Sequence, residues 1–214
     1  MAGELKQSYQ KRGVNNDRLQ VVLAAAGQSI LDVGCGSGAY VLKLADKYAI
    51  RGVDYQPFES WDEAPELFEV SDATKLRFED DSFDTLLSFE TLEHLPDPAA
   101  ALREYYRVCR NNVILTVPNC AITDGMKKSN MLYSHWIDRT HVNFFDIESI
   151  SALVANAGFK VVKQTYINKI SVLPLMTEAF GLNSAAQRWA SRLLKRFQKR
   201  HYHITCIIIG EKIR

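Results

Sequence analysis

The sequence lacks the features that mark several classes of protein. Its 214 residues contain no apolar stretch approaching the roughly 18 residues that a membrane-spanning helix needs. Its 26 Lys and Arg balance 25 Asp and Glu, so no global charge attracts the chain to nucleic acid or to a membrane. Its four cysteines form no C-x-x-C pair, which favours a reduced, cytoplasmic chain. The amino-terminal segment MAGELKQSYQKRG is too polar for a signal peptide.

The chain does contain enough apolar residues, 47% of the total, to fill the core of one domain covering residues 1–214. Short apolar runs alternate with helical segments, which predicts a doubly wound α/β fold around a mostly parallel sheet. Strands are predicted at 29–33, 49–54, 67–72, 83–89, 112–118, 159–167 and 202–210. Helices are predicted from a cap at Asn16 or Asp17 to residue 26, and at 37–48, 98–109 and 147–157.

A glycine-rich turn, GCGSG, follows the first predicted strand and opens a helix. The absence of a Cβ atom at Gly34, Gly36 and Gly38 allows the backbone to approach a ligand closely. The turn alone does not identify the ligand, because Gly34-x-Gly36-x-x-Ala39 also satisfies the loose dinucleotide-binding pattern.

Acidic residues accompany the first three predicted strands at their carboxyl ends. Asp32 precedes the glycine turn, and Asp54 ends the second strand, where its carboxylate can accept hydrogen bonds from both hydroxyls of a ribose. Asp72 ends the third strand, where it could bond an adenine amino group. One such acid is commonly a strand-end cap, but three in order indicate a ligand lying across the strand ends.

These motifs resemble those of the class I S-adenosylmethionine-dependent methyltransferases. ILDVGCGSG is similar to the first motif of that family, including Asp32, and GVD, SDA, FDTLLSFETLEHLPDP and HVNFF with LVANAGFKVV are similar to later ones. The resemblance covers about residues 15–167 and 202–210. It implies a seven-stranded sheet whose last strand is antiparallel, and S-adenosyl-L-methionine as the methyl donor. It also implies these donor-binding residues: Arg18, Asp32, Gly34, Cys35, Gly36, Asp54, Tyr55, Asp72 and Ala73.

The segment SFETLEHL, residues 88–95, carries the candidate catalytic groups. Spacings of three and four predict that Glu90, Glu93 and His94 share one helical face in the cleft. The pattern E-x-x-E-H resembles ubiquinone-pathway O-methyltransferases and small-RNA 2′-O-methyltransferases, in which a metal ion holds the acceptor hydroxyls. That resemblance implies a metal site of Glu90, Glu93, His94 and His141. Mixed carboxylate and imidazole ligands leave Mg²⁺, Mn²⁺, Fe²⁺ and Zn²⁺ open.

The same residues have two other interpretations. His94, His141 and Glu90 are the predicted catalytic residues, and without a metal His94 or His141 could carry out the proton transfer. Alternatively, Glu93 and His94 stabilise the first turn of a short helix, and His141 supports the wall of the cleft.

An insertion at residues 168–201 separates the last two predicted strands. Its first half is apolar, and its second half predicts a helix over 185–200 with an apolar stripe (Ala185, Ala186, Trp189, Leu193, Phe197) and six cations (Arg188, Arg192, Lys195, Arg196, Lys199, Arg200). Such a helix can dock on its own domain, cover the acceptor pocket or lie on an anionic membrane. It can also contact RNA or a phosphorylated substrate, or pair with a second subunit in a homodimer.

The sequence therefore predicts a cytoplasmic methyltransferase, peripheral to a membrane if the basic helix binds lipid. The predicted acceptor is a hydroxyl group on a small molecule, a lipid-linked compound or a saccharide, with a terminal RNA ribose as an alternative. Two rivals come from other classes: a nicotinamide-dependent oxidoreductase, which Asp32 disfavours, and a non-catalytic S-adenosylmethionine-binding partner subunit, which the complete set of acids disfavours.

Overall fold

One seven-stranded sheet organises the residues that the structure, a computed structural model, describes: 13–196 and 202–213. The strands lie in the order β3-β2-β1-β4-β5-β7-β6. Their bounds are β1 Ser29–Val33, β2 Ala49–Asp54, β3 Phe68–Val70, β4 Phe83–Phe89, β5 Cys109–Pro118, β6 Phe159–Ile170 and β7 Tyr202–Lys212. The predicted α/β class and strand count are confirmed.

Strands β1 to β5 run parallel to one another, and β7 is antiparallel to both β5 and β6. The last strand is thus inserted between the fifth and the sixth, as the resemblance implied. The carboxyl ends of the first five strands consequently meet at one edge of the sheet. In open parallel sheets this edge is where ligands bind.

Within the described residues, seven α-helices accompany the sheet: α1 Asn16–Ala25, α2 Ala39–Leu44, α3 Pro98–Val108, α4 Asp124–Lys128, α5 Ile147–Asn156, α6 Leu173–Ala179 and α7 Ser184–Lys195. Asp97 and Asp146 accept the N-cap hydrogen bonds of α3 and α5, as their positions predicted. The cap of α1 is Asn15 rather than Asn16 or Asp17. Helix α2 begins two residues later than predicted because Gly38, with φ +75°, is its N-cap, and it ends at Leu44 instead of residue 48.

The core lies on both faces of the sheet, because successive strand residues point to opposite sides. In β1, Leu31 belongs to the same buried cluster as Leu102 of α3 and Ile150 of α5, whereas the adjacent Ile30 belongs to the cluster that contains Val22 of α1 and Val41 of α2. Covering both faces with helices buries the strands on both sides, and β4 and the second half of β5 are accordingly buried along almost their whole length.

The insertion forms a helical hairpin of α6 and α7. Strand β6 continues to Ile170, three residues beyond its predicted end, and the predicted basic helix is present as α7 up to Lys195. Phe197, Lys199 and Arg200 of that prediction lie outside the described residues. Among the helices of 13–196, none combines the length and hydropathy needed to cross a bilayer.

Candidate active site

The glycine turn lies at the carboxyl edge, between β1 and α2. Gly34, Gly36 and Gly38 all have positive φ, which residues with a Cβ adopt at a cost. A Cβ atom on Gly34 would lie 2.3 Å from Thr91 Oγ1, so the turn packs directly against the segment after β4. A Cβ on Gly36 would meet nothing within 4 Å. The turn therefore leaves open space above Gly36, as a donor-binding cradle requires.

Side chains from the loop after β2 donate hydrogen bonds to the backbone of this turn. Trp61 Nε1 donates to the Gly36 carbonyl at 2.9 Å, and Ser60 Oγ donates to the Ser37 carbonyl at 2.7 Å. Trp61 also stacks on Phe68 of β3, with ring centroids 4.9 Å apart. This role of Trp61 was not predicted, because it depends on a contact with a residue 25 positions earlier in the chain.

Asp54 accepts two backbone hydrogen bonds at the end of β2. Its Oδ2 accepts from Gly36 N and its Oδ1 accepts from Tyr55 N, both at 2.8 Å. Burial raises the pKa of Asp54, while these backbone donors act in the opposite direction. Each carboxylate oxygen keeps acceptor capacity, so Asp54 can fix the turn and still accept from a ribose.

Asp32 is buried beneath the turn, with 2% of its surface exposed. Burial and the nearby Asp54 raise its pKa to about 7, and Arg18 acts in the opposite direction. The site thus holds two acids close together with one cation, and a cationic ligand such as a sulfonium would reduce the repulsion between the two carboxylates.

Arg18 and Glu90 form an ion pair across the cleft. Arg18 lies in α1, and its guanidinium nitrogen is 2.6 Å from Glu90 Oε1, which also accepts from Thr116 Oγ1 at 3.0 Å. Glu90 has φ +53°, so it ends β4 in the left-handed region instead of beginning a helix. The prediction that Glu90, Glu93 and His94 share a helical face is therefore wrong: only Leu92–His94 form a short 3₁₀ turn.

The other predicted donor residues lie along the same edge. Cys35 is half-buried within the turn, and its amide donates to the Val53 carbonyl at 3.1 Å. Burial raises the pKa of its thiol strongly. Tyr55 is 76% exposed beside Asp54. Asp72 lies two residues beyond β3, where its Oδ1 accepts from the amide and hydroxyl of Thr74.

Asp72 and its neighbour Ala73 differ in environment, because Ala73 packs against the hydrophobic core. The hydrogen bonds from Thr74 are the main cause of the lowered pKa of Asp72. Asp72 is thus exposed and ionised, held by its own turn at the third strand end.

Glu93, His94 and His141 form a compact cluster on the far side of the cleft. One potential ligand atom from each lies within 4.8 Å of the others. Glu93 is almost fully buried, and its Oε1 is 3.8 Å from His94 Nε2. The two imidazole rings are 4.9 Å apart. The structure brings together three of the four predicted metal ligands and places Glu90 with Arg18.

Backbone carbonyls orient both imidazoles of this cluster. His94 Nδ1 is 3.0 Å from the Thr140 carbonyl, and His141 Nδ1 is 3.1 Å from the His135 carbonyl. Because a carbonyl only accepts, each Nδ1 carries the proton, and in the neutral ring Nε2 presents its lone pair. Metal-binding histidines are commonly oriented in this way.

The loop that carries His141 is attached to the segment after β4. The amides of Val142 and Asn143 donate to the Glu93 carbonyl at 2.9 and 3.1 Å, and Asn143 Nδ2 donates to the Leu95 carbonyl at 2.7 Å. Asp138 Oδ2 lies 3.6 Å from His141 Nε2. Neither role was predicted: Asp138 stands outside the motifs quoted above, and Asn143 lies within HVNFF, which does not indicate what its side chain bonds.

The same loop exposes apolar side chains beside the cluster. Ile137, Val142 and Phe144 are all exposed, and Phe144 stacks on Trp136 with ring centroids 4.6 Å apart. An acceptor that reaches His141 from this side would meet apolar surface before the polar cluster.

Comparison with known proteins identifies the family of the chain. A family model described as a methyltransferase domain matches residues 7–164, more than half of the chain. The chain belongs to this family. It carries the class I S-adenosylmethionine-dependent methyltransferase fold, and its membership of the family supports S-adenosylmethionine as its cofactor.

Curated relatives of this methyltransferase use different acceptor atoms. The chain is 27% identical to phosphoethanolamine N-methyltransferase 1 of Arabidopsis thaliana over 62% of its length and 29% of the relative. It is 27% identical to an O-methyltransferase of Pyrenophora dematioidea, over 64% of its length and 56% of the relative. It is 28% identical to cycloartenol-C-24-methyltransferase 1 of Oryza sativa, over 79% of its length and 56% of the relative.

A solved structure confirms the architecture. A SAM-dependent methyltransferase from Archaeoglobus fulgidus matches with a TM-score of 0.65 at 18% identity, covering 92% of each chain. The methyltransferase described here spans between about a third and just over half of the length of the curated relatives named above. Its family and fold therefore follow from these matches, whereas its acceptor has to be argued from its own site.

Proposed function

We propose that this methyltransferase transfers a methyl group from S-adenosylmethionine to a hydroxyl oxygen, with a divalent cation held by Glu93, His94 and His141. The observation that carries the proposal is the convergence of three ligand-type atoms within 4.8 Å of one another. The acceptor class is a small-molecule, lipid-linked or saccharide hydroxyl. The apolar side chains exposed beside His141 favour an acceptor with an apolar portion.

The donor half fits S-adenosylmethionine. The open space at Gly36 allows a ligand to lie against the turn, and Asp54 at the end of β2 retains lone pairs for ribose hydroxyls. Arg18 lies beside the same acids, and its buried Nε has no hydrogen-bond partner among the described residues. A ligand carboxylate would be attracted to this guanidinium.

The cluster fits a divalent cation by the chemistry of its donors. One carboxylate and two imidazoles with Nε2 lone pairs suit Mn²⁺, Fe²⁺ or Zn²⁺, and the carboxylate also suits Mg²⁺. A bound cation would lower the pKa of an acceptor hydroxyl and orient its oxygen. Burial of Glu93 limits its movement, and the carbonyls of His135 and Thr140 fix both rings. Holding an acceptor oxygen in line with the donor is the main contribution that these residues can make.

Proton transfer by a histidine is the competing mechanism. The same carbonyl bonds leave Nε2 of His94 and His141 able to accept a proton. That mechanism needs one imidazole and gives Glu93 only an indirect role. The cation mechanism needs all three side chains together.

Methylation assays with several acceptor classes test the proposal. The protein would be incubated with S-adenosylmethionine carrying a deuterated methyl group and with a catechol, an alkylated hydroquinone, a saccharide or an RNA oligonucleotide. We expect a methyl ether by mass spectrometry, loss of the product in chelator and recovery with Mn²⁺. Glu93→Gln and His141→Ala should each lower the rate about 100-fold or more.

The matched control is His203→Ala, which removes a histidine from β7 outside the cluster and should retain activity. Methylation on nitrogen or carbon would contradict the hydroxyl assignment. If the rate is undiminished in chelator, with His94→Ala or His141→Ala inactive and Glu93→Gln active, the mechanism is base catalysis by a histidine and not activation by a cation.

A further inference from the structure

The hairpin of α6 and α7 exposes an unusual amount of apolar surface. No residue of α7 is buried, Trp189 is 68% exposed, and Phe180 between the two helices is 78% exposed. Leu175, Met176 and Leu193 are also exposed large apolar residues. Helix α7 contacts α6 through its half-buried side, which includes Ala186 and Ala190. The hairpin therefore does not bury its apolar stripe on the rest of the described chain.

The exposed side of α7 combines apolar and cationic groups. Trp189 and Leu193 are four residues apart and so lie on one face of the helix. Arg192 and Arg196 each come three residues after one of them, which places both guanidinium groups on an adjoining face. Arg188 and Lys195 are exposed as well. No Asp or Glu occurs from residue 179 to residue 210. The chain has a net charge of only +1, so this surface is a local concentration of positive charge.

The hairpin leaves the sheet at the edge that carries the candidate active site. Ile170, the last residue of β6, pairs with Tyr202, and Thr205 pairs with Pro118 at the carboxyl end of β5. His135, in the loop that bears His141, contacts the Ile204 carbonyl through its Nε2 at 3.0 Å. A surface bound by the hairpin would therefore lie on the side from which an acceptor enters.

We propose that the α6–α7 hairpin is a docking surface for an anionic phospholipid bilayer. Arginine and lysine attract anionic headgroups, while tryptophan and leucine enter the boundary between headgroups and acyl chains. RNA would be held by the cations but would leave Leu193 and Phe180 without an apolar environment. The combination of a cationic face with exposed aliphatic and aromatic side chains favours lipid. This inference concerns a surface separate from the cluster and does not depend on the acceptor.

Sedimentation with vesicles tests the charge requirement. The two vesicle types are phosphatidylcholine alone and equal parts of phosphatidylcholine and phosphatidylglycerol. We expect binding to the mixed vesicles at low salt, release as salt rises, and little binding to phosphatidylcholine. Changing Arg188, Arg192, Lys195 and Arg196 to Gln should abolish binding. The matched control changes four exposed cations elsewhere, Lys43, Arg77, Lys160 and Lys163, to Gln and should retain most of it.

Tryptophan fluorescence tests the apolar contact. Trp189 is strongly exposed, whereas Trp61 is buried and Trp136 is half-buried, so mixed vesicles should shift the emission of Trp189 to shorter wavelength. The shift should be absent in Trp189→Phe. The double variant Trp189→Ala with Leu193→Ala keeps every cation and should bind about tenfold more weakly. Binding of S-adenosylhomocysteine by each variant verifies that the domain is folded.

Four outcomes would overturn the proposal. The first three are equal binding to both vesicle types, no binding to either, and binding to an RNA oligonucleotide without binding to vesicles. Undiminished vesicle binding by the charge-neutralised variant would also remove the hairpin as the docking surface.

Discussion

The donor half and the acceptor half of the cleft are built in different ways. Most of the donor half lies in residues 32–61, where neighbouring strand ends and turns are joined by hydrogen bonds that each involve a backbone amide or carbonyl. The acceptor half joins side chains from distant segments: His94 contacts the Thr140 carbonyl 46 residues away. The first arrangement is local and the second depends on one loop remaining attached to the segment after β4.

This difference predicts that the two halves respond separately to substitution. Changes in the glycine turn should affect S-adenosylhomocysteine binding and leave cation binding intact. Changes in the loop that bears His141 should do the reverse. If substitutions in one half also change binding at the other, the two halves form one unit.

The largest expected effect comes from Gly34→Ala. A Cβ at this position combines a positive φ of +74° with a collision against Thr91, so the substitution should destabilise the fold by about 3–5 kcal/mol. Gly36→Ala is the matched control, because its Cβ meets no atom and only the backbone strain of about 1–2 kcal/mol applies. Urea unfolding measures both values. Equal destabilisation by the two variants would show that contact with Thr91 is unimportant.

Asp32→Asn should stabilise the apo protein by an amount that depends on pH. The folded pKa of about 7 is above the unfolded value of 3.8, so the folded state binds more protons and wild-type stability falls as pH rises through this window. Asparagine does not ionise, so the variant does not lose stability in this way. Its advantage should be absent near pH 4 and reach about 2–4 kcal/mol above pH 7. Urea unfolding across this range checks it, and an advantage independent of pH would contradict the origin in ionisation.

Asp54→Ala should weaken S-adenosylhomocysteine binding by about 1.5–3 kcal/mol, because it removes charge-assisted bonds to ribose and releases the Gly36 amide. Calorimetry measures the affinity, and affinity for Mn²⁺ should not change. Unchanged S-adenosylhomocysteine binding in a folded variant would remove Asp54 from the donor site.

The smallest expected effect is that of Asn143→Ala in the acceptor half. The variant loses side-chain bonds to the carbonyls of Leu92 and Leu95, which attach the His141 loop to the segment after β4. Loosening this attachment should weaken Mn²⁺ binding by about 1–2 kcal/mol and leave S-adenosylhomocysteine binding unchanged. A reduction in both affinities would show that the loop supports the donor half as well.

The same difference explains how much could be predicted from sequence. The bounds of β1, β2 and β4 agree with prediction because apolar runs ending in glycine or acidic residues encode them locally. The glycine turn and Asp54 are likewise recognisable from a short stretch. The role of Trp61 depends on a contact across 25 residues, and no local pattern encodes it.

Glu90 shows the limit of spacing arguments. The spacing of Glu90, Glu93 and His94 predicted a helical face, but the positive φ of Glu90 places its side chain beside Arg18. Arg18 comes from a helix 72 residues earlier, so the preference of Glu90 for this partner could not be derived from the segment itself. Likewise, Asp138 and Asn143 acquire their roles only when the loop folds against Glu93.

Calorimetric titration with Mn²⁺ tests the central claim most directly, because it does not require the acceptor. The wild-type protein, with and without S-adenosylhomocysteine, would be compared with Glu93→Gln, His94→Ala, His141→Ala and the control His203→Ala. We predict one Mn²⁺ per wild-type chain, loss of at least about tenfold in affinity in each cluster variant, and unchanged S-adenosylhomocysteine binding throughout. No Mn²⁺ binding by the wild type, or equal binding by wild type and cluster variants, would contradict a cation site at Glu93, His94 and His141.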